Sequence, residues 1–310
     1  LVGLEPGRLT VLGRAVDSLF SAHLDPASID SASADTIVRP IAVGGADLLL
    51  APLTQAVLLS STTPPAVAPA TLLTGRYGAT VTALDGGRAV VWGGHFGQVV
   101  TPNAAGELLS GLGPGQEVVS LSLDIPDGSL LAHRAFHSAV RVGDQVLIVG
   151  GFDIAPGTAT ILATSFAELI TVQPFAITEI PPPGGAAPIG YLSAVALADG
   201  NALITGGNTD CPNDPTGAAC SSAATYRFDQ TPGELRTLGS LQVSRYGHRV
   251  TVLDDGTALV TGGLHGDSGQ LRTATDVELI EPDTSDAVRQ FMRAPGSELS
   301  RCQVIGIAEP

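Results

Sequence analysis

The sequence predicts an all-β protein built from radially repeated four-stranded units, a β-propeller, and three observations predict it. A stretch of fixed grammar returns four times: Gly75–Gly94 (GRYGATVTALDGGRAVVWGG), His133–Gly151 (HRAFHSAVRVGDQVLIVGG), Gly190–Gly207 (GYLSAVALADGNALITGG) and Ser244–Gly263 (SRYGHRVTVLDDGTALVTGG). The closing pairs Gly93-Gly94, Gly150-Gly151, Gly206-Gly207 and Gly262-Gly263 begin 57, 56 and 56 residues apart. A period near fifty marks supersecondary units that bury their faces only by stacking on neighbours. Helical periodicity is nowhere convincing, whereas period-two alternation recurs in every unit.

Each element follows from local chemistry. Residues 1–35 read as an N-terminal strand and connector: Gly7–Gly13 resembles the last strand of a unit (compare Gly233–Gly239), and Ser21–Asp35 reads as loop. Residues 36–74 read as a degenerate blade, with Gly44-Gly45 as a hairpin turn and Ala51-Pro52 in place of the Gly-Gly pair. Regular blades follow at 75–121, 133–180, 190–238 and 244–291, with a partial one at 300–310. Their first runs alternate, as in Ala79–Leu84 and Arg249–Leu253, which is the strand period. Asp85-Gly86, Gly143-Asp144, Asp199-Gly200 and Asp255-Gly256 supply tight turns, because these residues tolerate the positive φ of a two-residue hairpin.

Second runs are short and apolar: Ala89–Trp92, Val146–Val149, Ala202–Ile204 and Ala258–Val260. That composition suits a strand covered on both faces. Third strands are expected at Glu107, Glu168, Tyr226 and Glu278, and fourth strands at Glu117–Leu121, Phe175–Ile180, Glu234–Leu238 and Ala287–Phe291. The expected ring has about six blades, with seven as the alternative. The orphan strands at 7–13 and 300–306 are expected in one closing region, whose missing middle comes either from further strands within Val11–Leu24 or from chain beyond Pro310.

The run Arg-x-x-His, Asp-Gly, apolar residues and Gly-Gly resembles kelch repeats and the galactose-oxidase-like propellers built from them, over roughly residues 36–310. Trp92 stands in a second strand, where that family often places a Trp in the last. The resemblance therefore implies a divergent, bacterial branch.

Composition narrows the function. The 310 residues are 44% apolar and only 4% aromatic, with a formal charge of −15. All 15 basic residues are Arg and none is Lys. Without a basic patch, nucleic acid is excluded as a partner. An anionic membrane surface is excluded too, except through an unseen anchor or partner. The apolar segment Ile41–Leu59 is broken by Asp47, Pro52 and Gln55 and reads as strands rather than a membrane span. The single Met is Met292, so the expectation is a processed chain or a piece of a longer one. Cys211 and Cys220 bracket a Pro/Gly loop and are expected to form a disulfide in an oxidising compartment. That places the protein outside the cell or on its surface, with the periplasm also open; Cys302 is left odd.

In a hairpin the start of strand one lies beside the end of strand two. One face is thus rimmed by Tyr77, His95 and Phe96, then Phe152 and Asp153, Tyr191 and Asn208, and Tyr246 and His265. These are the candidate binding residues for a protein or glycan, in a setting that includes membership of a larger surface assembly. Arg76, Arg134 and Arg245 are expected to be structural, each bonded to carbonyls or a carboxylate of the adjacent blade. The resemblance also implies an enzymatic alternative, a copper radical oxidase or a sugar isomerase. Copper oxidases of this fold use two Tyr and two His on the metal, one Tyr crosslinked to Cys; Tyr77, Tyr191 and Tyr246 share a register here, with Cys302 at the same position of the last unit. The six His show neither clear copper-ligand nor zinc spacing. No nucleophile elbow, P-loop or dinucleotide fingerprint occurs. The expectation is a binding or structural module with no cofactor and no metal.

Overall fold

The computed structural model describes residues 23–24, 41–44, 52–59, 67–94, 104–112, 117–124, 134–154, 161–163, 167–186, 189–209, 220–267, 270–283 and 288–292. Among them, four antiparallel meanders of four strands follow one another. Blade II comprises Thr80–Leu84, Arg88–Trp92, Ala104–Ser110 and Val119–Asp124. Blade III comprises Ser138–Val142, Gln145–Val149, Ala167–Val172 and Phe175–Ile180. Blade IV comprises Ser193–Ala196, Ala202–Thr205, Ala224–Asp229 and Glu234–Ser240. Blade V comprises Arg249–Val252, Ala258–Thr261, Val277–Ile280 and Val288–Met292.

The first strands of successive blades pack side by side, so they are the inner strands, and the meanders radiate outward in a propeller arrangement. The second strands show why they had to be apolar. Val90 and Trp92 join a core with Val146, Ile148 and Ile170 of blade III, while Ala89 and Val91 face the core shared with Val43 and Ala56. In blade III, Leu147 and Val149 turn the other way, toward Ile204 and Phe228 of blade IV. Leu203 then joins Val260 and Ile280 of blade V. The second strands of blades II, III and IV are each a shared wall of two cores, and each large apolar side chain so buried contributes about 1.5–3 kcal/mol.

Three expectations are corrected. The described residues hold four four-stranded blades plus a three-stranded sheet, not six or seven blades. That sheet, Ile41–Val43, Gln55–Leu59 and Val67–Thr71, also moves Gly44 out of the turn. The Gly44 N–H donates to the Gln55 carbonyl (2.8 Å) as that of Gly206 donates to Ala224 (2.8 Å). A Cβ on Gly44 would lie 2.4 Å from the Arg76 carbonyl oxygen, matching 2.2 Å from Gly93 to Arg134 and 2.4 Å from Gly206 to Arg245. Gly44 therefore stands in the place of the repeat's first Gly. The sequence misled because the strand before it, Ile41–Val43, is shorter than the apolar run after it. Finally, His23–Leu24, read as loop within Ser21–Asp35 but also within the stretch Val11–Leu24 left open to further strands, pairs in parallel with Thr80–Val81 and extends blade II's sheet to five strands, which corrects the loop reading. The strands expected at 7–13 and in 300–310 lie outside the described residues. No described helix is long and apolar enough to cross a membrane.

Candidate functional site

The inner strand of each four-stranded blade is entered through four residues: Arg76-Tyr77-Gly78-Ala79, Arg134-Ala135-Phe136-His137, Ile189-Gly190-Tyr191-Leu192 and Arg245-Tyr246-Gly247-His248. The third residue is left-handed in all four, with φ of 70°, 56°, 49° and 62°. These residues bond head to tail around the axis. The Phe136 N–H donates to Gly78 (2.8 Å), Tyr191 to Phe136 (3.1 Å) and Gly247 to Tyr191 (2.9 Å). Glycine adopts this conformation freely, but a ring-bearing residue does so at roughly 1–2 kcal/mol. Where Gly holds the third place, the second is Tyr; where Phe or Tyr holds it, the second is Ala or Gly.

Both arrangements deliver one aromatic ring per blade to the same mouth. Ring centroids lie 6.2 Å apart for Tyr77–Phe136, 5.1 Å for Phe136–Tyr191 and 6.1 Å for Tyr191–Tyr246. Phe152 joins at 5.0 Å from Tyr191. It is placed by a bridge to Ala135, and Gly190 makes room, since a Cβ there would lie 2.0 Å from the Phe152 ring. Tyr191 is the most open of the five at 39% exposed; Tyr77, Phe136, Phe152 and Tyr246 are half-buried. Burial first, then the neighbouring phenols of Tyr246 and Tyr77, raise the Tyr191 pKa. Burial likewise raises the Tyr246 pKa, so the Tyr191 and Tyr246 hydroxyls are neutral at ordinary pH.

Directly behind the rings lie the arginines, 0%, 2% and 0% exposed at Arg76, Arg134 and Arg245. Arg76 Nε pairs with Glu107 at 3.0 Å, Arg134 Nη2 with Glu168 at 3.1 Å and Arg245 Nη2 with Glu278 at 2.7 Å. Each also donates to a first-Gly carbonyl, of Gly93, Gly150 and Gly262. These carboxylates and first-Gly carbonyls belong to the arginine's own blade, where the expectation was a brace to the adjacent one. Burial pushes Glu168 up to about 7, against the pull of Arg134.

The histidines, not the arginines, bridge blades. His137 Nε2 meets Thr80 Oγ1 of blade II at 2.7 Å, and His248 Nε2 meets Thr205 Oγ1 of blade IV at 2.6 Å. Burial, then the adjacent arginine, lowers both to about 3, so both are neutral. Blade IV departs from this plan. Ile189 stands in the Arg place, Leu192 in the His place, and Tyr226, opposite Ile204, in the Glu place. With Val149, Ile204 and Leu235, these three line a small apolar cavity of about 30 Å³.

The other expected residues scatter. Asn208 bridges Gly190 and Ser221. Asp153 sits in the ribbon Phe152–Ile154/Ile161–Ala163, and half-buried His265 pairs with Arg272 in the ribbon Leu264–Asp267/Gln270–Thr273. His95, Phe96, Cys211 and Cys302 lie outside the described residues. Sequence reasoning passed over Glu107, Glu168 and Glu278 as partners, although their recurrence at the head of the third strand was the available signal. Among the described residues, no group of three or more His, Cys, Asp or Glu is placed to hold a metal.

Neither a protein-family model nor a curated protein matches the sequence. A solved structure titled "Structure of YjhT" does match, with TM-score 0.58 over 82% of this chain and 82% of that one, at 15% identity. The fold is a β-propeller. At that identity the likeness speaks for the fold alone, which carries binding and enzymatic sites in different proteins.

Proposed function

We propose that this chain is a divergent, kelch-like propeller of the galactose-oxidase-like kind from a bacterium, secreted or displayed on the cell surface. It acts without catalysis and binds a protein or glycan at its aromatic mouth. The observation that carries this reading is the cluster of Tyr77, Phe136, Phe152, Tyr191 and Tyr246, two of whose members sit in a conformation their side chains disfavour. Strained backbone of this kind persists where surrounding structure over-determines it, and it clusters at ligand sites. Aromatic rings are also the favoured anchors of interfaces.

The Cys211–Cys220 disulfide and an oxidising compartment belong to the same proposal. Their support is that Cys220, at the closing end of that Pro/Gly loop, is 3% exposed. The test is a panel of immobilised glycans and purified surface proteins probed with wild type and Tyr191→Gly, beside an assay for turnover of sugars and alcohols with and without added copper. Retention of a panel member by wild type and not by the variant is expected. Turnover, or retention indifferent to Tyr191, overturns the reading.

A further inference from the structure

The mouth combines an aromatic surface with buried arginines behind it whose guanidiniums are paired. The five rings are tilted against one another, at 38° for Phe136–Tyr191, 53° for Phe152–Tyr191 and 38° for Tyr191–Tyr246. A ring face carries negative electrostatic potential and attracts a cation placed over it. The three arginines behind the rings are matched one to one by the carboxyl groups of Glu107, Glu168 and Glu278 within 3.1 Å, so each guanidinium is already committed. His137 and His248 are held neutral beside them. The chain contains no Lys and carries a formal charge of −15. Its long-range field therefore draws cations and repels anions. A carboxylate or phosphate ligand would need a free guanidinium or ammonium at the mouth, and the arginines next to the rings are already committed.

We infer that the group received by the aromatic mouth is an organic cation of the alkylammonium class, held by cation–π contact with Tyr191 and its neighbours Phe136, Phe152 and Tyr246. This inference rests on the binding-face reading above and narrows it. Recognition needs no ion pair: the ammonium loses part of its hydration and gains ring faces, while the overall negative field of the protein raises its local concentration.

The experiment titrates the whole chain with choline and, separately, with 3,3-dimethylbutan-1-ol, which has the same shape and no charge, following tyrosine resonances by NMR. A third arm uses acetate, and a fourth a neutral hexose. Choline is expected to saturate and to bind about tenfold more tightly than the neutral isostere. Its affinity should fall as salt rises, and it should be lost in Tyr191→Gly. Phe152→Leu keeps an apolar side chain while removing a ring face, and is expected to weaken choline but not the isostere. Melting temperatures of both variants show that they are folded. Equal affinity for choline and the isostere, or acetate binding at the mouth, overturns the inference. Hexose binding that depends on Tyr191 while choline does not bind also overturns it, yet leaves the mouth as a binding face. If nothing in any arm perturbs Tyr191, the inference fails, and the glycan and protein panel then decides the fate of the broader reading.

Discussion

Blade IV provides a comparison with its neighbours, and transplanting its solution into blade V measures what the buried ion pairs are worth. Arg245 and Glu278 are both 0% exposed. Arg245 donates to Glu278 Oε1 (2.7 Å) and to the carbonyls of Asp276 (2.9 Å), Gly262 (3.1 Å) and Val243 (3.3 Å). Glu278 in turn accepts the N–H groups of Gln242 (2.7 Å) and Val243 (3.1 Å). Arg245→Ile alone leaves a buried carboxylate without its cation and strips donors from those carbonyls, so it should cost about 3–5 kcal/mol. Arg245→Ile combined with Glu278→Tyr recreates the Ile189/Tyr226 arrangement. What remains is the two amides and the three carbonyls, all of exposed or half-buried residues that water can reach, leaving the double variant within about 2 kcal/mol of wild type. Urea unfolding of the four proteins closes the cycle. If Arg245→Ile costs under 1 kcal/mol, or if the two single losses simply add, the guanidiniums are not structural in the way described here.

Three further outcomes follow from the same geometry. Because Phe136 holds φ at 56°, Phe136→Gly should be more stable than Phe136→Ala by about 1 kcal/mol, reversing the usual order of Gly and Ala; chemical denaturation showing Ala ahead would refute the left-handed backbone. His137 and His248 titrate near 3 rather than 6.5, so the stability they contribute is full above about pH 6.5 and drains as pH falls toward 3. Glu168, raised to about 7, acts oppositely between its ordinary 4.5 and 7, so the steep loss should fall below about pH 4.5. His248→Leu, the residue type found at Leu192, should flatten that acid limb, and an unchanged limb would show that the histidine is not the cause. Mass spectrometry of unreduced, alkylated protein should leave Cys211 and Cys220 unlabelled, and label on both would remove the case for an oxidising compartment.

Much of the fold was legible because its demands fall on residue type. A second strand buried on both faces must be apolar along its length, as Val146–Val149 is, and a left-handed exit from it selects Gly150. The blade count was not legible. The three-stranded sheet of Ile41–Val43, Gln55–Leu59 and Val67–Thr71 kept Gly44 but has a shorter apolar run before it than after, so composition favoured the wrong side of the glycine. The ion pairs escaped because Arg76 and Glu107 lie 31 residues apart, and a Glu heading a strand has an innocent reading as a solvated edge. The mouth was half legible. Tyr77-Gly78 and Tyr246-Gly247 announce an aromatic before a left-handed glycine, but Ala135-Phe136 and Gly190-Tyr191 shift the ring by one place. No residue preference marks an aromatic in that conformation; the backbone bonds from Phe136 to Gly78 and from Tyr191 to Phe136 help hold it there.

The central claim is that the arginine layer ties together the strands within each blade while the aromatic layer in front of it meets a ligand, and Tyr191→Gly separates the two most directly. The substitution keeps a residue at ease at φ 49° and deletes only the ring. Affinity for whichever ligand the panels identify and the melting temperature are measured on the same preparation. The account predicts a loss of about 2 kcal/mol or more in binding, roughly thirtyfold in affinity, with little change in melting. Undiminished affinity accompanied by a large fall in melting temperature would make the ring a structural plug and contradict the account.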